Sequence, residues 1–215
     1  MEIQLAGEKL LLSEDKIIYW SKKQTVFIAD LHLGKTTHFR KSGIAIPLAI
    51  ITAEIDRIEN IIEKFRPKRI FFLGDLFHSD LNHEWNIFND FLEQHPTVEF
   101  ILIKGNHDIL NDKIYNLSKL KIEKEPFQLD SFILSHHPLK KSDLQNKELI
   151  LCGHIHPGIS IKGKGRSYLS LPCFYLEENQ LIIPAFGRFT GLAKIKPIKG
   201  SSVFAVLNES VKKIG

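Results

Sequence analysis

The sequence has little cysteine and no long apolar run, and each absence excludes a class of protein. Its 215 residues include two cysteines, Cys152 and Cys173. They are too few for a disulfide framework and are not spaced as a redox or zinc motif, so we expect buried thiols in a reducing cytosol. No stretch approaches the roughly 18 apolar residues of a membrane span, and the first residues lack a basic segment followed by an apolar one. A cytoplasmic protein without a membrane anchor is therefore expected.

The composition is that of a folded protein, with 43% hydrophobic and 25% charged residues. This balance supplies a core and a solvated surface, which excludes disorder and low-complexity fibres. The length and the lack of repeats or linkers favour one α/β domain over residues 1–215.

The net charge of +4 is distributed unevenly along the chain. Residues 157–215 contain nine lysines and arginines against three glutamates, a net charge of +6, which leaves −2 for the first 156 residues. Two interpretations stay open: an ordinary solvated surface, and a basic face for a polyanion such as DNA.

The first half of the chain alternates apolar strands with helices. Apolar runs at 25–29, 69–73 and 98–103 predict buried strands. Apolar residues at intervals of three and four after Pro47 predict a helix that ends near Pro67, and a second helix is predicted before the third strand.

From about residue 121 the pattern changes to short strands without long helices. These strands are predicted at 132–134, 149–151, 167–171, 181–183 and 202–206. An α/β half followed by a β-rich half indicates two sheets packed face to face, with helices outside.

Five of the predicted strands run into polar clusters. These clusters contain Asp30 and His32, Asp75, Asn106 and His107, His136, and His154 and His156. Because ligand sites in open α/β sheets lie beyond the carboxyl ends of the strands, we expect the clusters to converge. Carboxylate, carboxamide and imidazole ligands without a thiolate suit Mn²⁺, Fe or Zn²⁺ in a two-metal site bridged by a carboxylate.

Each cluster alone has an ordinary explanation as a turn, because Gly, Asn and Asp are common turn residues. In this order, however, they resemble the calcineurin-like metallophosphoesterases, through Asp30-x-His32, Gly74-Asp75, Gly105-Asn106-His107-Asp108, His136 and Gly153-His154-x-His156. The resemblance implies a four-layer αββα sandwich of two mixed sheets flanked by helices, with two divalent metal ions, Mn²⁺ in the most active form.

The resemblance also implies a role for each ligand. Asp30, His32 and His156 would hold one metal, Asp75 would bridge, and Asn106, His136 and His154 would hold the other. His137 stays open as an alternative to His136.

A narrower resemblance covers nearly the whole chain. Segments 29–35, 39–40, 43–47, 73–78 and 184–191 are similar to the ligase-associated DNA damage response endonucleases. Leu192 departs from that pattern where a second Gly is expected. The resemblance implies a DNA phosphodiesterase of bacterial DNA repair, with a DNA ligase and a helicase as possible partners.

The expected mechanism is attack on a DNA phosphodiester by a metal-activated hydroxide. His107 is the candidate acid for the leaving oxygen, since the resemblance and its place beside Asn106 both favour this role. Asp108 has two open interpretations, orientation of His107 or the N-cap of a helix.

Candidate substrate contacts are basic or aromatic residues near the clusters. The best are Lys162, Lys164 and Arg166, which follow His156 in a predicted hairpin. Arg40, His78 and Arg188 are weaker candidates, for which solvated or buried structural roles stay open. Phe186 and Phe189 have two interpretations, a stacking lip for nucleotides or core residues.

Two other functions stay open. A small-molecule phosphomonoesterase or nucleotide phosphodiesterase would use the same centre, because a fold does not select its substrate. A catalytically silent protein-binding scaffold is the remote alternative, which the intact ligand clusters disfavour.

Overall fold

The computed structural model describes residues 1–34, 49–77, 83–140, 148–163 and 168–214, which form two mixed sheets and three α-helices. The first sheet has the order β1 (Glu2–Leu5), β2 (Glu8–Leu12), β3 (Ile18–Trp20), β4 (Thr25–Ile28), β5 (Arg69–Leu73), β6 (Glu99–Ile103) and β7 (Leu120–Glu123). The second sheet contains β8 (Phe127–Leu129), β9 (Phe132–Leu134), β10 (Leu149–Cys152), β11 (Pro157–Lys162), β12 (Tyr168–Glu177), β13 (Gln180–Ile182), β14 (Ala193–Lys194), β15 (Ser202–Val206) and β16 (Val211–Ile214). The helices are α1 (Ala49–Phe65), α2 (His83–Gln94) and α3 (Asp112–Asn116).

The parallel part of the first sheet is β4 to β7, and the helices pack on one of its faces. Parallel neighbours need crossover connections, which α1, α2 and α3 supply. Ile58 of α1 and Phe88 of α2 are fully buried against Phe72 and Phe100 of the sheet. Because β4, β5 and β6 are parallel, their carboxyl ends lie at one edge of the sheet.

The second core lies between the two sheets. Phe27 and Phe71 of the first sheet share this core with Leu134, Leu151 and Phe174 of the second. In the second sheet β9, β10 and β13 are parallel to one another. Their carboxyl ends meet those of the first sheet at the same edge.

Strand and loop residues pack on the outer face of the second sheet. Ile150, Cys152 and Cys173 are fully buried there, and loop residues such as Leu139 and Ile195 pack against them. Both cysteines are free, as expected. The fold class is confirmed, with two mixed sheets and, within the described residues, helices on the first sheet.

The strands and helices at the centre of the fold match the sequence patterns, whereas the amino-terminal hairpin does not. β5 spans Arg69–Leu73 and α1 ends at Phe65, both as predicted. The hairpin of β1 and β2 was not predicted, because its turn uses Ala6 with a φ of 50° and Gly7 with a φ of 77°. Alanine is not a usual residue for such a turn. Among the described residues, no helix has the length and apolarity needed to cross a membrane.

Leu151→Ala is expected to lower the free energy of unfolding by about 2–5 kcal/mol, because the side chain is fully buried between the sheets. The matched control is Leu117→Ala, whose side chain is 87% exposed and whose loss should stay within about 0.5 kcal/mol. Urea denaturation measures both. Equal losses would contradict the assignment of the inter-sheet core.

Candidate metal centre

The seven predicted ligands lie on five loops that follow strands β4, β5, β6, β9 and β10 at the shared carboxyl edge. The structure brings together Asp30, His32, Asp75, Asn106, His136, His154 and His156. These loops belong to two different sheets, so the cluster forms only when the sheets pack face to face.

The two carboxylates lie at the centre of the cluster and are almost completely buried. Asp30 is 0% and Asp75 is 2% exposed. The carboxylate of Asp30 accepts the main-chain N–H of His154, at 3.1 Å for Oδ1 and 2.9 Å for Oδ2. Asp75 Oδ1 accepts the main-chain N–H of His107 at 2.9 Å. Each carboxylate therefore holds the loop of another strand as well as facing the cluster.

One half of the cluster consists of imidazoles around these carboxylates. His32 Nε2 lies 3.3 Å from His156 Nε2 and 3.7 Å from Asp75 Oδ2. His156 Nε2 lies 3.4 Å from Asp30 Oδ1. Both rings thus present nitrogen atoms to buried carboxylates.

The other half is organised by His136, which is fully buried. Its Nδ1 lies 3.0 Å from the carbonyl oxygen of Leu73, which can only accept, so the neutral ring carries its proton on Nδ1. The lone pair on Nε2 then faces Asn106 Oδ1 and His154 Nδ1, each at 3.1 Å, and Asp75 Oδ1 at 3.4 Å. Nitrogen and oxygen atoms that converge at these distances can act together as ligands of a cation.

The donor atoms form three sets, each within 4.8 Å: Asp30, His32 and His156; Asp30, Asp75 and His136; and His136, His137 and His154. Burial, together with the nearby His136 and His137, lowers the pKa of His154, which favours the neutral ring that a metal ligand needs. Carboxylate and imidazole donors grouped in this way fit divalent metal ions. The assignment of each ligand stays a prediction.

The main chain is strained at the cluster. Asp30, His32, Asp75, His154 and His156 have φ values from 50° to 69°. Non-glycine residues rarely adopt this left-handed conformation, which costs on the order of 1–3 kcal/mol each. The surrounding fold therefore holds these side chains in positions that the free chain would avoid.

Glycines in the motifs make room for the ligands. A Cβ on Gly74 would lie 2.1 Å from His136 Nδ1, and Gly74 also has a φ of 75°. A Cβ on Gly153 would lie 2.6 Å from Asp30 Oδ2. Glycine is required at both positions because a side chain there would overlap the side chain of His136 or of Asp30.

Glu125 supports the cluster but was not predicted from the sequence. Its carboxylate accepts the main-chain N–H groups of His136 at 2.7 Å and His137 at 3.1 Å, and lies 2.7 Å from His137 Nδ1. Burial opposes ionisation, but these hydrogen bonds keep the pKa of Glu125 below its ordinary value. His137 belongs to one of the donor sets as well, so the choice of His136 over His137 as the ligand stays a prediction. No motif marks Glu125 in the sequence.

Asp108 connects two of the loops. Its carboxylate accepts the N–H of Gly105 at 2.8 Å and the N–H of Phe77 at 3.1 Å, and burial raises its pKa to about 6. The N-cap alternative is wrong, because Asn111 caps α3 through Lys113 N–H. Orientation of His107 by Asp108 stays a prediction. The His107 ring lies beside the cluster, 5.6 Å from that of His32.

The predicted substrate contacts have different outcomes. Lys162 is exposed at the end of β11, which begins directly after His156. Arg188 is exposed, and its N–H donates to Glu54 Oε1 at 2.8 Å. Phe186 is fully buried, as the core interpretation requires, whereas Phe189 is 40% exposed. Arg40, His78, Lys164 and Arg166 lie outside the described residues.

Comparisons with known proteins agree with this arrangement. The calcineurin-like phosphoesterase family matches residues 24–172. The structure of a nuclease, MPE from Pseudomonas putida, is similar over 100% of this chain and 99% of that chain, with a TM-score of 0.80 and 26% identity. The phosphoesterase Yfce from E. coli is 14% identical over 88% of this chain and 97% of that chain, with a TM-score of 0.46. No curated protein matches the chain.

Gly153→Ala is expected to weaken Mn²⁺ binding about 10–100-fold, because the added methyl group displaces the carboxylate of Asp30. Isothermal titration calorimetry of metal-free protein measures this, with circular dichroism as the check on folding. Gly191→Ala is the matched control, since, apart from the adjacent residues, no atom of the described part of the chain lies within 4 Å of the added Cβ. Unchanged Mn²⁺ affinity in folded Gly153→Ala protein would contradict the role of Asp30.

Proposed function

The chain belongs to the calcineurin-like phosphoesterase family, and from this premise we propose that it is a metal-dependent phosphodiesterase, an endonuclease that cleaves DNA. The observation that carries the proposal is the convergence of carboxylates, imidazoles and a carboxamide at one edge, in a chain similar to a nuclease over its whole length. We further infer a role in DNA repair from the resemblance of the sequence motifs, with a DNA ligase and a helicase as possible partners.

The residues present define what the centre can hold. In our proposal Asp30, His32 and His156 bind one ion, Asn106, His136 and His154 bind the other, and Asp75 lies between them. When bound, two divalent ions supply an acidified water and offset negative charge on the phosphate oxygens. We favour Mn²⁺ because nitrogen and oxygen donors without thiolate suit it, with Fe and Zn²⁺ as alternatives.

His107 is the group proposed to protonate the leaving oxygen. Two observations support this role: the main-chain N–H of His107 donates to Asp75 Oδ1, and its ring lies 5.6 Å from that of His32. A half-buried imidazole there can exchange protons with solvent between turnovers. Asp108 fixes the same loop through Gly105, so we assign it a positioning role.

We propose that residues 1–215 act as one domain and that the protein works in the cytoplasm. The support for the compartment is the pair of buried free thiols, which a reducing environment preserves.

Supercoiled plasmid, bis-p-nitrophenyl phosphate and p-nitrophenyl phosphate test the function on one preparation. We expect nicking of the plasmid and preference for the diester over the monoester with Mn²⁺, and loss of both activities with chelator. Preference for the monoester with intact plasmid would overturn the DNA assignment and favour a phosphomonoesterase.

Asp75→Asn is expected to abolish metal-dependent hydrolysis while the protein stays folded, since the carboxylate lies between both sets of donors. Asp130→Asn is the matched control, because Asp130 is a surface partner of Lys23 with 44% of its side chain exposed. Initial rates and bound metal are measured for both variants. Near-normal activity of Asp75→Asn would exclude its bridging role.

His107→Ala should retain bound metal but lose about 10²–10⁴-fold in kcat on diesters with poor leaving groups, where a general acid matters most. The loss should be much smaller for p-nitrophenyl esters, whose leaving group needs no proton. His95→Ala, at a histidine that pairs with Glu59 outside the cluster, is the control. A large loss of bound metal in His107→Ala would show that His107 is a ligand instead.

A further inference from the structure

The main chain around Asp30 forms hydrogen bonds on two sides. On one side Asp30 N–H donates to Gly74 O at 3.3 Å, which joins the loops that follow β4 and β5. On the other side Asp30 O accepts the N–H of Gly187 at 3.1 Å, and Ala29 O accepts the N–H of Phe186 at 2.9 Å. Asp30 has a φ of 54°, a conformation that is costly for a residue with a side chain. Bonds from outside the loop therefore help to keep Asp30 in this conformation.

Residues 186–188 lie in direct contact with the loop of Asp30. A Cβ on Gly187 would lie 2.6 Å from Leu31 O and 3.3 Å from Asp30 O, so there is no space for a side chain between the two segments. Close-packed groups transmit displacements to one another. A shift of residues 186–188 would therefore shift the main chain of Asp30.

An ion pair on α1 holds residues 186–188 on both sides of Gly187. The guanidinium of Arg57 donates from Nη1 to Phe186 O at 2.8 Å, and it lies 3.7 Å from the centre of the Phe186 ring. The carboxylate of Glu54 accepts the N–H of Arg188 at 2.8 Å. Arg57 Nη1 also donates to Glu54 Oε2. We name Glu54 and Arg57 the α1 ion pair.

The α1 ion pair is largely buried, with 19% of the Arg57 side chain and 11% of the Glu54 side chain exposed. Buried ion pairs are often no more stabilising than apolar side chains of similar volume, because both charges lose their hydration. Apolar side chains, however, cannot bind a carbonyl oxygen and an N–H group. The specific contribution of this pair is therefore its grip on the main chain of residues 186–188.

A third contact fixes the guanidinium itself. Arg57 Nη2 donates to Asp15 O at 3.2 Å, in the segment before β3. Arg57 is thus held at its own helix, at residue 15 and at residue 186, and its position is set independently of the loops that carry the metal donors.

We propose that the α1 ion pair positions the metal centre: it holds residues 186–188 against the main chain of Asp30, and so keeps the Asp30 carboxylate where it binds metal. The inference rests on the proposed function, in which Asp30 is a ligand. Glu54 and Arg57 act through residues 186–188, so they are positioning residues and set the affinity for metal from outside the donor cluster.

The test removes the ion pair without leaving a buried charge. Glu54→Leu/Arg57→Met removes both hydrogen bonds to residues 186–188, whereas Glu54→Gln/Arg57→Met keeps an acceptor for the N–H of Arg188. Both double variants keep the net charge of the chain, so the long-range attraction of Mn²⁺ is unchanged. The matched control is Lys64→Met on the same helix, which breaks exposed ion pairs with Glu14 and Asp15.

Isothermal titration calorimetry of metal-free protein measures the affinity for Mn²⁺. Glu54→Leu/Arg57→Met should bind Mn²⁺ about tenfold more weakly than the wild type, as for other groups that support metal ligands. Glu54→Gln/Arg57→Met should lose less, because one of the two bonds is kept. Lys64→Met should stay within about twofold, since exposed ion pairs contribute little.

Two further readouts separate positioning from a general role in stability. The midpoint of urea denaturation of Glu54→Leu/Arg57→Met should stay near that of the wild type, because apolar residues replace the buried pair. The Mn²⁺ concentration for half-maximal hydrolysis of bis-p-nitrophenyl phosphate should rise by the same factor of about ten, and excess Mn²⁺ should restore most of the rate. If the leucine variant does not fold, Glu54→Gln/Arg57→Met carries the same comparison.

The failures of the two proposals are distinguishable. If the wild type binds no Mn²⁺, the metal centre is wrong and the inference falls with it. If the wild type binds Mn²⁺ but hydrolyses no diester, the proposed reaction is wrong and calorimetry still decides the inference. If the wild type binds Mn²⁺ and the folded double variants keep its affinity, the inference alone is wrong. An equal loss of affinity in Lys64→Met would show a general effect of α1 and would also overturn it.

Discussion

The rest of the site depends on one interaction, the hydrogen bond from the main chain of His154 to the buried carboxylate of Asp30. It joins a loop of the first sheet to a loop of the second, and it fixes two predicted ligands at once. Hydrogen bonds to a charged acceptor contribute about 1.5–3 kcal/mol each. The hydrogen bond from His136 Nδ1 to Leu73 O joins the same two sheets at a second point, so bonds to main-chain groups hold the two halves of the cluster together.

Other acidic side chains around the cluster also accept hydrogen bonds from main-chain N–H groups. Glu125 holds the turn of His136, and Asp108 joins the loops that follow β5 and β6. The carboxylate of Glu84 accepts the N–H of Gly34, just beyond His32. These hydrogen bonds fix the loops that carry the predicted ligands, and divalent ions would offset the negative charge of the acidic side chains.

The sequence predicts the site better than the scaffold that supports it. Asp30 and Asp75 follow apolar strands whose carboxyl ends must meet, so strand order alone brings them together. Glu125 could not be predicted, because its contacts form only when β8 pairs antiparallel with β9 and brings residue 125 opposite His136. The lysines and arginines of residues 157–215 do not all lie on one surface of the protein. Lys162 lies at the end of β11, whereas Lys212 and Lys213 lie on β16. Charge counted along the chain cannot show this division.

Selection among phosphate esters has to arise outside the metal centre, because a pair of metals would recognise any of them. One neighbouring segment is connected directly to the ligands: Phe186 N–H donates to Ala29 O and Gly187 N–H to Asp30 O. The side chain of Arg57 stabilises this segment. Its guanidinium lies 3.7 Å from the centre of the Phe186 ring and donates a hydrogen bond of 2.8 Å to Phe186 O. The exposed Arg188 therefore shares a rigid support with Asp30. The main-chain bonds that hold Asp30 therefore also hold the segment that presents Arg188 to solvent.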